Sequence, residues 1–326
     1  MNVLIEDLVE RLSANDPCLQ HVSLRRLPLA FLSAAEVRAI VQALADNHVV
    51  DSLDLWFPSE HEEELYNHDN AEDIENDDVE SHDTMDADTT CYAYLIDVLS
   101  RNTSIRQLSV LSASGTAWNA LFVGLSNNVS VQTLELGDAA AFEPDHVEWS
   151  AATCWAAAAM LQTNTTIQQL TMRGFSLLPA DNDDSNGNVV ELLAAGFAKN
   201  TTLQSVELHQ IAGLADSQLL SMLNVPSIRI IECDLSMASS STSTQEQQKQ
   251  HYLPWTDLLS SNKKLQALRL IECRLTSEQI RDLSNRLGRE KCNDRNDDSS
   301  NWTLRVLDLR GNVLQDASCE ALATAL

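Results

Sequence analysis

Carboxylates are the most conspicuous reactive groups in this sequence. In 326 residues, 48 aspartates and glutamates stand against 21 lysines and arginines, a formal net charge of −27 at pH 7. Three of the acids, Glu135, Glu207 and Glu232, occupy the same place in a short recurring pattern, so a regular fold could set them near one another. Paired carboxylates do general acid–base work when an apolar pocket drives their pKa values apart. A flat, solvated strand surface offers no such pocket. Other reactive constellations are scarce: no glycine-rich phosphate loop, G-x-S-x-G elbow or H-E-x-x-H is present. The stretch DNDDSNGNVVE (181–191) has the look of a calcium loop, but an EF-hand needs glycine at its sixth position and glutamate at its twelfth. Counted from Asp181, those residues fall seventh and eleventh. Seven cysteines (18, 91, 154, 233, 273, 292 and 319) form an odd set with no C-x-x-C pair, which writes neither a disulfide framework nor a zinc site. Most are expected to be buried thiols filling small apolar gaps. The expectation is a protein that is not an enzyme and carries no metal and no cofactor.

Charge and hydropathy exclude further classes. Duplex DNA or RNA needs a basic face to displace counterions, and an anionic membrane surface repels this chain for the same reason. A hydrophobic content of 44% supports a core and excludes wholesale disorder. The N-terminal MNVLIEDLVERLSANDP carries acids inside its apolar stretch and has no basic n-region, so it reads as an amphipathic helix rather than a signal peptide. The longest wholly apolar run, Cys154 to Leu161, has eight residues, against the roughly 20 a membrane span needs. The expected location is cytoplasmic, with nuclear as the alternative. Nucleic acid and membrane are not expected partners, and the oligomeric state is left open.

The elements that must position these side chains emerge when the chain is stacked on itself. One hexamer recurs: apolar, two variable residues, apolar, variable, apolar. It reads LQHVSL from Leu19, VDSLDL from Val50, IRQLSV from Ile105, VQTLEL from Val131 and IQQLTM from Ile167. It continues as LQSVEL from Leu203, IRIIEC from Ile228, LQALRL from Leu265 and LRVLDL from Leu304. Its last positions alternate with period 2, the geometry of a strand with one buried face. Helical periods lie between the hexamers, at 33–47, 89–102, 116–128, 150–164, 189–200, 255–262 and 277–287. The first opens with a Ser33–Glu36 capping box. A strand followed by a helix, repeated nine times, is a solenoid unit that buries its core only against its neighbours.

Asparagine supplies an independent register mark. Asn47, Asn102, Asn128, Asn164, Asn200, Asn262 and Asn301 each stand three positions before the first apolar residue of a hexamer; Asp16 and Val225 take that place in the other two. Asparagine tolerates the left-handed conformation that ends many helices, so each is expected to be a helix stop. Five of them (102, 128, 164, 200 and 301) also satisfy N-x-[ST], the glycosylation acceptor pattern. Their common repeat position favours a structural role.

With these features the chain resembles the leucine-rich repeat family, in particular its helix-containing, ribonuclease-inhibitor-like class. LRVLDLRGNVLQDASCEALATAL (304–326) carries the resemblance best, through Asn312 and the helix after it, and Cys273 fills the Asn312 position one repeat earlier. Elsewhere that position holds Leu27, Pro58, Ala113, Ala139, Phe175, Ile211 and Ser236, so the side-chain ladder of regular members is expected to be mostly missing. The resemblance implies an α/β solenoid, a horseshoe of about nine repeats with a parallel concave β-sheet and convex helices. Residues 1–16 form an N-terminal capping helix and residues 17–326 the solenoid. The acidic insertion 58–88 and a Ser/Thr/Gln-rich loop at 236–251 interrupt it. The sequence stops inside its last helix, with Leu322 and Leu326 at the open end, so a continuation past Leu326 or a covering partner is expected.

The acidic insertion holds seven aspartates, seven glutamates and no lysine or arginine between Ser59 and Asp88. It could serve as bait for a basic partner, or hold divalent cations loosely with His61, His68 and His82. The plainer reading, a solvated disordered loop, is preferred because loops tolerate length at little entropic expense. The concave face is the broader candidate. Its central outward column is Ser23, Asp54, Ser109, Glu135, Thr171, Glu207, Glu232, Arg269 and Asp308; the next is Arg25, Trp56, Leu111, Gly137, Arg173, His209, Asp234, Ile271 and Arg310. Acids interleaved with Arg, Trp and His suit protein recognition. The resulting expectation is a scaffold that binds a protein partner, with a basic one as an option. The partner-facing residues are Arg25, Asp54, Trp56, Glu135, Arg173, Glu207, His209, Glu232, Arg269, Asp308 and Arg310. The alternative is a GTPase regulator, since Ran GTPase-activating protein is similar in repeat fold and has an acidic segment. There the segment follows the repeats whereas here it interrupts them, and no catalytic arginine maps onto Arg25 or Arg173.

Overall fold

The computed structural model describes residues 3–24, 32, 34–56, 94–111, 115–137, 147–177, 189–211, 216–234, 255–273, 275–292 and 303–325. Arg25, the acidic insertion 58–88, the calcium-like stretch 181–188, the loop 236–251, Ser33, Cys91 and Asn301 lie outside the described residues. The strands in chain order are β1 (His21–Ser23), β2 (Ser52–Trp56), β3 (Gln107–Leu111), β4 (Thr133–Gly137), β5 (Val147–Glu148), β6 (Gln169–Arg173), β7 (Phe175–Ser176), β8 (Ser205–His209), β9 (Ile230–Asp234), β10 (Ala267–Ile271) and β11 (Val306–Asp308). All nine hexamers become strands of one open parallel sheet, ordered β1-β2-β3-β4-β6-β8-β9-β10-β11 and alternating with helices. This is a leucine-rich-repeat-like α/β solenoid. The second and third apolar residues of the first eight hexamers supply the core: Leu53 and Leu55, Leu134 and Leu136, Val206 and Leu208, Leu268 and Leu270 are all at most 2% exposed, whereas Leu307 and Leu309 of the last are half-buried.

The chain divides into two compact units, Met1–Glu143 with Ser150–Ile167, and Pro144–Trp149 with Gln168–Leu326. In the first, β1 to β4 pair so that Ser23, Asp54, Ser109 and Glu135 share one row. Its helices are Val3–Ser13, Ala34–Ala45, 94–101, Gly115–Asn127 and Ala151–Thr163. Gly124 permits a close helix approach, since a Cβ there would lie 3.0 Å from Leu99 Cβ. In the second unit β6, β8, β9, β10 and β11 align Thr171, Glu207, Glu232, Arg269 and Asp308. Its helices are Val189–Lys199, Asp216–Leu223, Trp255–Ser261, Ser277–Cys292 and Asp316–Ala325.

Three features depart from the sequence reading. The eight-residue helix Asp216–Leu223 has too few turns to announce a period. The helix expected at 277–287 runs on to Cys292, because Arg289, Glu290 and Lys291 are good helix formers; it opens with a reciprocal capping box in which the Thr276 N–H donates to Gln279 Oε1 at 2.8 Å and the Gln279 N–H to Thr276 Oγ1 at 3.3 Å. A second, two-stranded parallel sheet pairs β5 with β7 and is fastened by Trp149 on Phe175, ring centroids 4.8 Å apart.

The repeated asparagines are not left-handed helix stops. Asn164 sits at φ −72°, ψ 128°, an extended conformation, and the positive-φ non-glycine residues of the described chain are Asn15, Gln210 and Glu272. What the position needs is the amide. Asn47 Oδ1 accepts from the N–H groups of Val49 and Val50, at 2.8 and 2.7 Å, while its Nδ2 donates to Leu12 O at 2.8 Å. Asn102 accepts from Ser104 and Ile105 and donates to Leu44 O at 2.6 Å; Asn164 accepts from Thr166 and Ile167 and donates to Leu125 O at 2.7 Å. Asn128 is bonded likewise, and in the second unit Asn262 donates to Val225 O and Ile228 O. Each side chain closes its own turn with its oxygen and ties that turn to the preceding repeat with its nitrogen. Asp16 performs only the accepting half, taking the Cys18 N–H at 2.9 Å, because a carboxylate has nothing to donate.

The serine or threonine of N-x-[ST] belongs to the same device. Ser104 Oγ donates to Asn47 O at 3.0 Å and Ser130 Oγ to Asn102 O at 3.1 Å. Asn102, Asn128, Asn164 and Asn200 are at most 4% exposed, closed to a glycosyl group in the folded chain. The ladder expected to be sparse is so among the described residues: Asn312 Nδ2 donates to Leu270 O at 2.6 Å and the Cys273 thiol to Cys233 O at 3.2 Å, whereas Phe175 and Ile211 are buried apolar groups.

Replacing Asn128 by alanine removes the donor to the preceding repeat and leaves the Ser130 and Val131 N–H groups without their acceptor. At about 1–3 kcal/mol per unsatisfied buried group, urea unfolding should show a loss of about 2–4 kcal/mol. Asn127→Ala, at the adjacent exposed position, should stay within about 0.5 kcal/mol.

Candidate binding surface

Side chains that alternate with the buried strand residues stand on the face of the sheet away from the core, and strand register fixes their neighbours. In the first unit Asp54 and Glu135 are half-buried and separated in their row by Ser109, itself 8% exposed. Asp54 Oδ2 lies 3.5 Å from His21 Nε2, and His21 Nδ1 is 3.0 Å from Ser52 Oγ. Trp56 is half-buried beside Leu111 and Gly137 in register. Its Nε1 is buried and has no hydrogen-bond partner among the described residues. His21 was not singled out from sequence, although the same alternation that marks Asp54 marks the residue two positions before Ser23 as outward.

In the second unit the acids are engaged by neighbours. Thr171 Oγ1 donates to Glu207 Oε2 at 3.3 Å, and His209 Nε2 approaches the same oxygen at 3.8 Å, an electrostatic contact rather than a hydrogen bond. The His209 imidazole is the main cause that holds the Glu207 carboxyl below its ordinary value; partial burial opposes it, and Thr171 and Arg173 assist. Arg269 donates to Glu232 Oε2 at 3.1 Å. Arg310 folds back on Asp308, with Nε 3.0 and 2.9 Å from its two oxygens and Nη2 2.8 Å from Oδ2. That fork lowers the Asp308 pKa and raises that of Arg310. Arg173 is exposed, opposite His209 in register.

Register therefore brings Glu207 and Glu232 together as direct neighbours, while Glu135 belongs to the other unit with Ser109 beside it. Ion pairs this exposed contribute little to stability; their effect is to hold long side chains in place. The second unit's face is a mosaic of both signs rather than an acidic strip. Among the described residues no group of three or more His, Cys, Asp or Glu is placed to hold a metal ion. The Cys154 thiol is pushed up to about 12 by burial, and Cys233 is raised well above its ordinary value, chiefly by the same cause. Both sit in the core as inert thiols, whereas Cys18 and Cys319 are exposed.

No family model matches this chain, and no curated protein matches it. Among solved structures, the actin-binding site 2 of leiomodin-1 aligns over 77% of this chain and 98% of its own, with 14% identity and a TM-score of 0.35. Among the described residues no helix is long and apolar enough to cross a membrane.

A carboxylate titrated by carbon NMR reports this geometry directly. The Glu207 midpoint should lie below the usual glutamate value of about 4.3, and His209→Ala should move it up. Because the folded-state value is depressed, Glu207 stabilises the fold above about pH 4.3, and that contribution disappears as pH falls through the lower, folded-state value. Glu207→Gln should flatten this part of the acid limb in a pH series of urea midpoints.

Proposed function

We propose that the chain is a non-enzymatic scaffold, a leucine-rich repeat of the ribonuclease-inhibitor-like kind, that binds another protein on the outward face of its strands. The observation that carries this reading is the strand register. It sets polar, charged and aromatic side chains in straight rows at about 4.8 Å per strand, and those side chains are already oriented by their neighbours. Such a surface loses little side-chain freedom when a partner arrives, which favours affinity. Trp56, half-buried in its row, and Arg173, exposed beside His209, are the side chains of the interface-anchor type. The mixed signs favour a partner whose surface presents both charges in complementary order, so discrimination depends on matching rather than on bulk attraction. A cytoplasmic location and the absence of catalysis belong to this proposal.

Affinity capture from the native extract tests it. Trp56→Ala in the first unit and Arg173→Glu in the second should each lower retention of a captured protein by about tenfold or more. Lys199→Glu, on a helix, should leave it unchanged. Equal capture by all three variants, with melting temperatures like the wild type's, would remove the outward strand face as the binding surface.

A further inference from the structure

Two helices of the first unit, Gly115–Asn127 and Ala151–Thr163, pack side by side and contain no charged residue in their 13 positions each. At the chain's 21% charged content about five would be expected there, and every other described helix carries at least one, from Glu6 and Arg11 in Val3–Ser13 to Asp316 in Asp316–Ala325. The charge-free surface is also apolar. Trp155 is 63% exposed, Val123 48% and Val129, just after the first helix, 67%. Of the tryptophans among the described residues, Trp56 is half-buried, Trp118, Trp149 and Trp255 are buried, and Trp155 alone faces out.

The helix that carries Trp155 has a particular relief. Cys154, Ala157, Ala158 and Leu161 turn inward and are at most 3% exposed. On the outer side Ala152, Trp155, Ala156 and Ala159 follow the spacing i, i+3, i+4 and i+7 of a single helix face. A large ring therefore stands between two alanines, one turn before and one turn after it. A projection and the hollow that fits it lie on the same helix, and a shape complementary to itself is what a two-fold axis requires. Two such helices crossing antiparallel place each ring against the other's Ala159.

Charge selects the same occupant surface. Copies carrying −27 repel one another, and the repulsion is strongest wherever acid meets acid. These two helices bring no charge into contact, so two copies can close here with only long-range repulsion to overcome, which salt screens. We propose that this face joins two copies of the chain about a two-fold axis that passes between positions 155 and 159, with Trp155 of each packed on Ala159 of the other.

Sedimentation equilibrium of the full chain, at about 50 and 500 mM NaCl, tests the arrangement. A concentration-dependent dimer whose dissociation constant falls several-fold at the higher salt is expected. Trp155→Asp and, separately, Ala159→Arg should each weaken it by about tenfold or more with the circular dichroism and melting curve unchanged. A chain that stays monomeric at both salts overturns the proposal. So does a dimer that loosens as salt rises, or one that neither substitution affects. Retention of a different protein through Trp155 by an otherwise monomeric chain would assign the face to that protein and overturn it equally.

Discussion

A repeat that turns from helix into strand must bury the backbone N–H groups of the turn, and this requirement governs the rest of the structure. The buried asparagine meets it with one side chain facing two ways. Its oxygen closes the turn; its nitrogen adds a second donor to a carbonyl in the last turn of the preceding repeat's helix. A carboxylate cannot supply both halves, as Asp16 shows by accepting only. Hydrophobic burial makes the core, but apolar side chains alone would allow one strand–helix unit to slide against the next. The amide bridges fix the register, and register decides which side chains stand together on the outward face.

The fold was readable from the sequence because two unrelated periods agree: the alternating hexamer and the asparagine three places before it. The cause first assigned to the asparagine was a backbone preference, whereas the structure shows a hydrogen-bonding one. The N-x-[ST] spacing already pointed there, since the second hydroxyl, as in Ser104 and Ser130, also bonds across to the preceding repeat. Elements without a period were not legible. The two-residue strands Val147–Glu148 and Phe175–Ser176 exist because Trp149 and Phe175 pack together, a contact that no local pattern announces.

The outward rows were legible as rows, since alternation and register follow from the same hexamer. Their electrostatic state was not. From sequence, Glu207, Glu232 and Asp308 count as free acids; in space each has a cationic or hydrogen-bonding neighbour set by the adjacent strand or by the chain two residues on. Arg310 pairs with Asp308 by folding back along its own strand end rather than by reaching outward. Helix surfaces were less informative still, because Trp155 and Val123 occupy positions that a helical period marks only as not core.

The Asn102 amide clasps residues 58 positions apart in sequence, joining Leu44 to the turn before β3. β2 and β3, joined through 50 intervening residues, are thereby held in the same register as β3 and β4, joined through 21. Lengthening a connection of this kind raises the closure entropy only logarithmically, by about 0.6 kcal/mol per doubling. The length of a connection and the alignment of the strands it joins are thus set by different parts of the chain.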